Sequence, residues 1–227
     1  MSESKFDAVI VGGRPAGTSL AVRLADAGWR VAVIERDAFP SRPKVPSMPL
    51  VPPHTVRMLE EIGLSEATAQ AAGQPLHRMI LNMGGHFESE IDFAAGMPGQ
   101  SPNCVYSIQR DKFDSTLWEH VRHNPHIDTR QGVAATELIR NADGRVDGVV
   151  VKALDSGKTE TLRADVVIGA DGRFSFVARQ VDAPITYEDT NVNSDFYFAY
   201  WEGLSYTHPD GAHTMHVYSN VEQAQVT

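Results

Sequence analysis

A group of glycines near the start of the chain has the spacing of a phosphate-binding turn. The group lies in the segment from Val9 to Gly17. In such a turn the first glycine allows a tight bend, the second lets a phosphate approach the backbone, and the last lets a helix pack closely on a strand. Amide N–H groups at the positive end of the following helix then bind the phosphates. The candidate binding residues are Gly12, Gly13, Arg14, Pro15, Ala16 and Gly17.

A carboxylate follows this turn at the sequence spacing typical of an acidic residue that binds the ribose of a nucleotide. Glu35 lies 18 residues after Gly17 and is followed by Arg36. An acidic side chain in this position binds the ribose hydroxyl groups and disfavours a 2′-phosphate. The turn and the carboxylate together predict a bound dinucleotide without a 2′-phosphate, with Glu35 as a further binding residue.

Arg14 departs from the usual pattern because it occupies a position that is commonly glycine. Two arrangements are open at this point. The side chain points outward while the backbone N–H still binds a phosphate, or the guanidinium itself pairs with a phosphate. The residue types alone favour neither arrangement.

Hydrophobic patterning predicts the elements that must position these residues. Phe6–Val11 is a short apolar run that predicts a buried strand, and Val31–Glu35 predicts a second strand. Between them, Pro15–Ala27 predicts a helix that ends before Gly28. One face of this helix is predicted to carry Ala16, Leu20, Ala21 and Leu24. A strand–helix–strand unit of this length places both strands parallel in one sheet with a right-handed connection.

The rest of the chain alternates between turn residues and short elements. Six prolines between residues 39 and 53 predict an ordered loop, because proline disrupts helices and central strands. Gly84-Gly85 predicts the turn of a hairpin. Helices are predicted from residue 53 to about 62, over 111–121, and after 172 to about 181. Strands are predicted over residues 76–83, 86–93, 134–140, 146–154, 159–163, 165–169, 196–201 and 214–218.

Two further segments place charged residues at a glycine turn or at the start of a predicted helix. Residues 164–179 comprise a buried apolar strand, the turn Gly169-Ala170-Asp171-Gly172, a serine and a closing arginine. Residues 106–114 read Tyr-Ser-Ile-Gln-Arg-Asp-Lys-Phe-Asp. Together with the glycine turn, these motifs in this order resemble the class A FAD-dependent monooxygenase, or aromatic hydroxylase, superfamily, including its geranylgeranyl reductase-like branch. The resemblance covers essentially the whole chain.

The resemblance implies a fold and a cofactor. The fold is α/β, with a Rossmann-like FAD-binding domain of three layers, as in glutathione reductase, and part of a mixed-sheet substrate domain. The FAD-binding domain is expected over residues 1–75 and 104–183, and the partial substrate domain over residues 76–103 and 184–227. The family's contacts to FAD correspond to Arg36, Arg110, Ala135, Asp171 and Gly172 in this chain.

Asp171 and Arg110 also allow readings that need no cofactor. A carboxylate in a turn accepts hydrogen bonds from backbone amides, so Asp171 either binds cofactor hydroxyl groups or only forms the turn. Arg110 stands at the start of a predicted helix, where the dipole disfavours a cation. A phosphate or flavin partner would explain this placement, and an exposed arginine is the alternative.

The resemblance also implies an activity. NAD(P)H would reduce the flavin, and O₂ would then be used to hydroxylate a small organic substrate. The alternatives are a flavin-dependent isoprenoid reductase, a halogenase, or a non-catalytic nucleotide-binding fragment. No catalytic residue can be named from the sequence.

Composition argues against several other classes of protein. The 227 residues are 42% hydrophobic, which suits one large domain or two small ones. A net charge of −9 argues against nucleic-acid binding. Cys104 is the only cysteine, which excludes an internal disulfide and a thiolate-rich metal site. Because no apolar run reaches about 20 residues and no signal-peptide pattern begins the chain, we expect a cytoplasmic protein without a membrane span or a metal.

One motif of the family has no counterpart here. Members of the superfamily carry a later Gly-Asp segment whose aspartate binds the flavin ribitol, and nothing after Gly172 matches it. The family's members are also considerably longer. The sequence therefore predicts the N-terminal portion of a flavoenzyme, whose partner would be the C-terminal half. The oligomeric state is not predicted.

Overall fold

Most of the strands and helices that the patterning predicts are present in the described residues, together with several short elements that were not predicted. The structure, a computed structural model, describes residues 5–43, 50–84, 86–96, 104–188 and 214–219. Its elements are β1 (Lys5–Val11), α1 (Pro15–Asp26), β2 (Val31–Glu35), β3 (Leu50–Val51), α2 (Pro53–Glu61), α3 (Ser65–Ala72), β4 (Arg78–Met83), β5 (Phe87–Asp92), α4 (Phe93–Gly96), β6 (Tyr106–Ser107), α5 (Arg110–Arg122), β7 (Ile127–Gln131), β8 (Val133–Arg140), β9 (Val146–Ala153), β10 (Thr159–Gly169), α6 (Phe176–Gln180) and β11 (Thr214–Ser219).

Six of these strands form a sheet in the order β7-β2-β1-β10-β9-β8. β7, β2, β1 and β10 are parallel, whereas β9 and β8 are antiparallel to their neighbours. β1 is flanked by β2 on one side and β10 on the other, and Val11 at its end pairs with Gly169. The carboxyl ends of all three strands therefore meet at one edge, which is where open α/β sheets bind their ligands. The predicted parallel β1–α1–β2 unit is confirmed.

Different elements cover the two faces of this sheet. α1 and α5 contact each other and the parallel strands on one face, where Gly17 approaches Ile10 of β1. β9 and β8 form the antiparallel end of the sheet, and this end bends over the other face. Leu138 of β8 and Val151 of β9 therefore share one buried cluster with Ile34 of β2. The helices, the parallel strands and the bent antiparallel end of the sheet form three layers. The predicted Rossmann-like α/β fold is confirmed.

The buried face of α1 differs from the predicted one. Its buried residues are Gly17, Thr18, Ala21, Val22 and Ala25. Ala16 is exposed, and Leu20 and Leu24 are only half-buried. Of the four residues predicted to share one face, only Ala21 is buried, so the predicted face and the buried face overlap only in part. Small residues line the real interface because Gly17 touches the loop before the helix, which brings the helix axis close to the sheet.

β10 is one continuous strand of 11 residues, where two strands over 159–163 and 165–169 were predicted. Its first part pairs with β9 and its second part with β1, and the change of partner falls at Arg163. The polar residues around this point suggested a break, but Ala164 between them is buried and keeps the strand in the sheet. β7 was not predicted, because its sequence Ile-Asp-Thr-Arg-Gln is largely polar.

The second group of elements is built around a mixed three-stranded sheet in the order β11-β4-β5. β4 and β5 form the predicted antiparallel hairpin, and β11 is parallel to β4. α2 begins at Pro53, as the proline pair before it predicts. β3 and β6 form a separate pair. The predicted strand over residues 196–201 lies outside the described residues.

By its internal contacts the chain divides into two units. The first comprises residues 1–46 and 110–195, and the second comprises residues 47–109 and 196–227. The predicted FAD-binding domain also included residues 47–75 and 104–109, which these contacts place in the second unit. A division by contacts and a division by cofactor binding are different criteria, so the predicted boundaries stay a prediction. Of the helices that the structure describes, none combines the length and apolar character that a bilayer crossing needs.

The placement of β10 in the core can be tested with two leucines. Leu162 is fully buried in the cluster between the layers, whereas Leu154 is 52% exposed. Leu162→Ala is expected to lower the free energy of unfolding by about 2–5 kcal/mol, because it removes buried methyl groups and leaves a cavity. Leu154→Ala should change it by less than about 0.5 kcal/mol. Denaturant unfolding measures both, and equal losses would contradict this placement of the core.

Candidate cofactor-binding site

The glycine loop between β1 and α1 is closely packed against backbone atoms. Gly12 has a φ of +112°, and its N–H donates a hydrogen bond to the carbonyl of Ile34 over 2.8 Å. A Cβ atom on Gly12 would collide with the carbonyl of Ala170, and one on Gly17 would collide with the carbonyl of Gly12. The two glycines are therefore required by the turn and by the approach of α1, as predicted from their spacing.

Gly13 is restricted by side chains instead. A Cβ atom there would lie 2.5 Å from the ring of Trp118 and 2.8 Å from the Cβ of Glu35. Trp118 belongs to α5, is only 1% exposed, and packs its ring against Phe39 with 5.0 Å between the ring centroids. The contact of Trp118 with the glycine loop was not predicted. Nothing in the spacing of Trp118 connects it with Gly13, which lies far away in the sequence.

Glu35 fastens the glycine loop to the end of β2. Its side chain is buried, with the residue only 4% exposed. One carboxylate oxygen accepts a hydrogen bond from the N–H of Gly13 over 2.8 Å, and the other accepts one from the N–H of Asp37 over 3.0 Å. Each oxygen has a further lone pair, so a ribose hydroxyl group can still bind. The predicted ribose contact stays a prediction beside this structural role.

The guanidinium of Arg14 lies among protein acceptors. One terminal nitrogen donates to Asp114 and lies 3.5 Å from the carbonyl of Ser41. The other donates to Asp37 over 2.7 Å and to the Ser41 hydroxyl over 3.0 Å. Burial alone would lower the pKa of Arg14, but the hydrogen bonds to Asp37 and Asp114 outweigh it, and the pKa lies above its ordinary value. The side chain thus neither points outward nor depends on a phosphate for a partner.

Arg110 and Arg14 share Asp114, a residue that the sequence analysis missed. Asp114 is fully buried on α5, and Arg110 one turn earlier donates to both of its oxygens over 2.9 and 3.0 Å. This ion pair offsets the unfavourable position of Arg110 at the start of the helix. The four-residue spacing on one helix was the available indication of the pair. Contact between Arg110 and FAD stays a prediction.

The turn after β10 is stabilised mainly by Asp171. Its carboxylate accepts hydrogen bonds from the Ser175 hydroxyl over 2.6 Å and from the amides of Phe176 and Val177 over 2.6 and 3.2 Å. The Ala170 N–H donates to the carbonyl of Val11 over 2.7 Å, which joins this turn to the glycine loop. The structure thus shows the predicted hydrogen bonds from backbone amides to Asp171. Bonds to cofactor hydroxyl groups stay a prediction.

The remaining candidates lie around this sheet edge with different exposures. Gly172 has a φ of +82° and open space where a Cβ would point. Arg36 is exposed at the end of β2. Ala135 lies in β8, half-buried against the core cluster. Gly132, between β7 and β8, donates an N–H to the carbonyl of Asp37 over 3.4 Å. This contact brings the start of β8 beside the end of β2, and the role of Ala135 toward the adenine stays a prediction.

The start of α1 fits a phosphate group. In the described part of the chain, Arg14 at the N-cap position gives no side-chain hydrogen bond to the first turn, and that turn contains no acidic residue. The helix begins with Pro15 and the exposed Ala16, so only short side chains surround it. First-turn amides and the positive end of the dipole are therefore left for an anion. The pyrophosphate of FAD is such an anion.

Glu35→Ala tests the two roles of this carboxylate. We expect FAD binding to weaken about 10- to 150-fold through the lost charge-assisted hydrogen bond to the ribose. We also expect the protein without FAD to melt at a lower temperature, because the amides of Gly13 and Asp37 lose a buried acceptor. Fluorescence titration and thermal melting measure these effects, with Glu35→Gln as the milder control. Unchanged affinity would place the ribose elsewhere, and unchanged melting would contradict the contact with the loop.

Gly17→Ala is expected to weaken FAD binding more than Arg14→Gly does. A methyl group at position 17 meets a backbone oxygen, so the loop must shift. Arg14→Gly removes the hydrogen bonds of the guanidinium but brings no atom into collision with the loop. Calorimetric titration of both variants with FAD gives the order. The reverse order would show that the guanidinium contributes more to FAD binding than the close contact at Gly17 does.

Comparison with known proteins places this geometry among flavin enzymes. 6-methylpretetramide 4-monooxygenase of Streptomyces rimosus is 29% identical over 178 residues, covering 78% of this chain and 41% of that protein. A Rhodococcus jostii protein named "Probable NADH-specific resorcinol 4-hydroxylase" is 29% identical over 168 residues, covering 73% of this chain and 30% of that protein. The crystal structure of p-nitrophenol 4-monooxygenase from Pseudomonas putida shares the fold, with a TM-score of 0.66, 23% identity, and coverage of 79% and 44%. The chain spans less than half the length of each.

One family profile matches nearly the whole sequence. It is described as an FAD binding domain, and the match runs from residue 5 to residue 226, across the glycine loop, Glu35 and the turn at Asp171. The predicted resemblance to class A flavoprotein monooxygenases and the predicted cofactor FAD are confirmed. The chain therefore belongs to the FAD binding domain family.

Proposed function

We propose that this chain is the FAD-binding part of a monooxygenase that uses NADH or NADPH and O₂ to hydroxylate a small aromatic substrate. The observation that carries the proposal is the single sheet edge at which the glycine loop, Glu35 and the turn after β10 meet. The names of two relatives support the reaction type, since one is a 4-monooxygenase and the other a 4-hydroxylase. The second name also supports NADH as the electron donor.

Different residues at this edge would bind different parts of the cofactor. The backbone of the loop from Gly12 to Gly17 and the start of α1 would hold the pyrophosphate, and Glu35 would hold the adenosine ribose. We assign the adenine side to Ala135, and the remaining contacts to Arg36, Arg110, Asp171 and Gly172. When bound, FAD accepts a hydride from NAD(P)H and activates O₂, which is chemistry that protein side chains do not supply.

The protein's own contribution would be orientation and electrostatics. Buried hydrogen bonds from Gly13 and Asp37 to Glu35 fix the loop before a ligand arrives, so that less ordering is needed on binding. The positive end of α1 would stabilise the phosphate charges. We assign substrate binding to the sheet of β4, β5 and β11. This sheet is mixed, as expected for the predicted substrate domain.

The proposal is tested on the full-length gene product that contains this chain, reconstituted with FAD. The assay follows NADH and NADPH oxidation and O₂ consumption with a series of phenols, and mass spectrometry with ¹⁸O₂ identifies the products. We expect one phenol to accelerate NADH or NADPH oxidation and to gain one labelled oxygen atom. Protein that binds FAD and yields no oxygenated product would overturn the proposal. A halogenated product or a saturated double bond would favour one of the two alternative reactions instead.

A further inference from the structure

Asp114 is a buried carboxylate to which the proposed reaction assigns no role. It is fully buried in the second turn of α5, between Phe113 and Leu117, which are buried as well. An ionised carboxylate in such surroundings is stable only when it is paired and hydrogen-bonded. Its partners therefore indicate what it does.

Both partners are arginines of the predicted cofactor site. Arg110 binds Asp114 in a bidentate manner, with Nε on Oδ1 at 2.9 Å and Nη2 on Oδ2 at 3.0 Å. Arg14 donates from Nη1 to the same Oδ2, although it lies 100 residues away in the sequence. One carboxylate thus holds two guanidinium groups that come from the glycine loop and from the start of α5.

We propose that Asp114 is a positioning residue of the FAD site, which acts on the phosphate-binding loop through Arg14 and Arg110. The inference rests on the cofactor role proposed above. Asp114 itself does not contact the cofactor. It fixes the two arginines, and the arginines in turn fix the backbone that receives the pyrophosphate.

The hydrogen bonds of Arg14 show how the effect reaches the loop. Its two terminal nitrogens are directed to Asp114, Asp37 and Ser41, all of which are protein acceptors. The guanidinium therefore joins the N-cap of α1 to the segment after β2 and to α5. We call this set of hydrogen bonds the clamp. Arg14 reaches a phosphate through its backbone, and its side chain keeps that backbone in place.

The charges lead to the same conclusion. Arg14 and Arg110 are two cations drawn to one small region, and they repel each other unless an anion lies between them. Asp114 supplies this anion in a buried setting, where the interaction is strong. Without it, each guanidinium would move toward solvent or toward another acceptor, and the start of α1 would lose its anchor on α5.

The ligand fragments of FAD separate this role from a general loss of stability. ADP contains the phosphates that the clamped loop would receive, whereas adenosine contains only the ribose and adenine ends. A change confined to the loop weakens ADP and FAD and leaves adenosine unaffected. A general loosening of the domain weakens all three alike. Binding is measured well below the melting temperature of each variant, so that the folded fraction is the same.

Asp114→Asn is the main variant, and Asp111→Asn is its matched control. Asp111 stands on the same helix and pairs with the exposed Arg42 at 3.3 Å. We expect Asp114→Asn to weaken FAD and ADP about 10-fold or more, the effect of a lost charge-assisted hydrogen bond. Adenosine should change less than about twofold, and Asp111→Asn should leave all three ligands within about twofold. Equal affinities in wild type and Asp114→Asn would overturn the inference.

Arg14→Gln and Arg14→Lys keep the test decisive if Asp114→Asn does not fold. Lysine keeps the charge but cannot reach three acceptors in the fork geometry of arginine. We therefore expect Arg14→Lys to weaken ADP as much as Arg14→Gln. Wild-type affinity in Arg14→Lys would show that only a positive charge near the phosphates matters, which would overturn the clamp.

A double-mutant cycle completes the test. If Asp114 acts through Arg14, the loss of ADP affinity in Arg14→Gln combined with Asp114→Asn is smaller than the sum of the single losses. Additive losses would overturn the inference. These results are independent of the proposed reaction, since absence of hydroxylation leaves the binding data unchanged. Wild-type protein that binds neither FAD nor ADP would overturn the cofactor role and this inference together.

Discussion

The close contact of backbone atoms between β1 and β10 is the constraint on which the rest of the site depends. Val11 and Gly169 are paired at the ends of these strands, and Ala170 hydrogen-bonds back to Val11. The carbonyl of Ala170 then occupies the space where a side chain on Gly12 would lie. The loop must turn at a positive φ at this point, and α1 must start directly after it. The direction of α1, and hence the place at which we propose that a phosphate binds, follows from this contact.

The electrostatics of the site combine an open helix start with carboxylates that are already engaged. Glu35, Asp37 and Asp114 lie near the loop, and an anionic ligand would be repelled if their charges were uncompensated. Amides of Gly13 and Asp37 stabilise Glu35, while Arg14 pairs with Asp37 and Asp114. The negative charges are thereby used to hold the loop. The positive end of α1 remains available for an anion.

The two units contribute different kinds of information about function. The six-stranded sheet of the first unit carries the candidate cofactor motifs, whereas the family match covers residues of both units. The mixed sheet of the second unit carries no comparable motif in its described residues. Enzymes that share a fold differ in substrate because their sites differ. The proposed reaction follows from the cofactor edge, and the proposed role of the second sheet in substrate binding is independent of it.

Local elements and the positions where the backbone must be glycine could be predicted from the amino-acid order. The β1–α1–β2 unit, the hairpin of β4 and β5, and the placement of Glu35 all follow from periodicity and spacing over short segments. The folded structure was needed to show which face of α1 is buried, that β10 is one strand, and that Asp114 joins Arg14 to Arg110. The physical reason is that burial and ion pairing depend on which elements pack together. Residues 100 positions apart, such as Arg14 and Asp114, leave no periodic trace of their contact in the sequence.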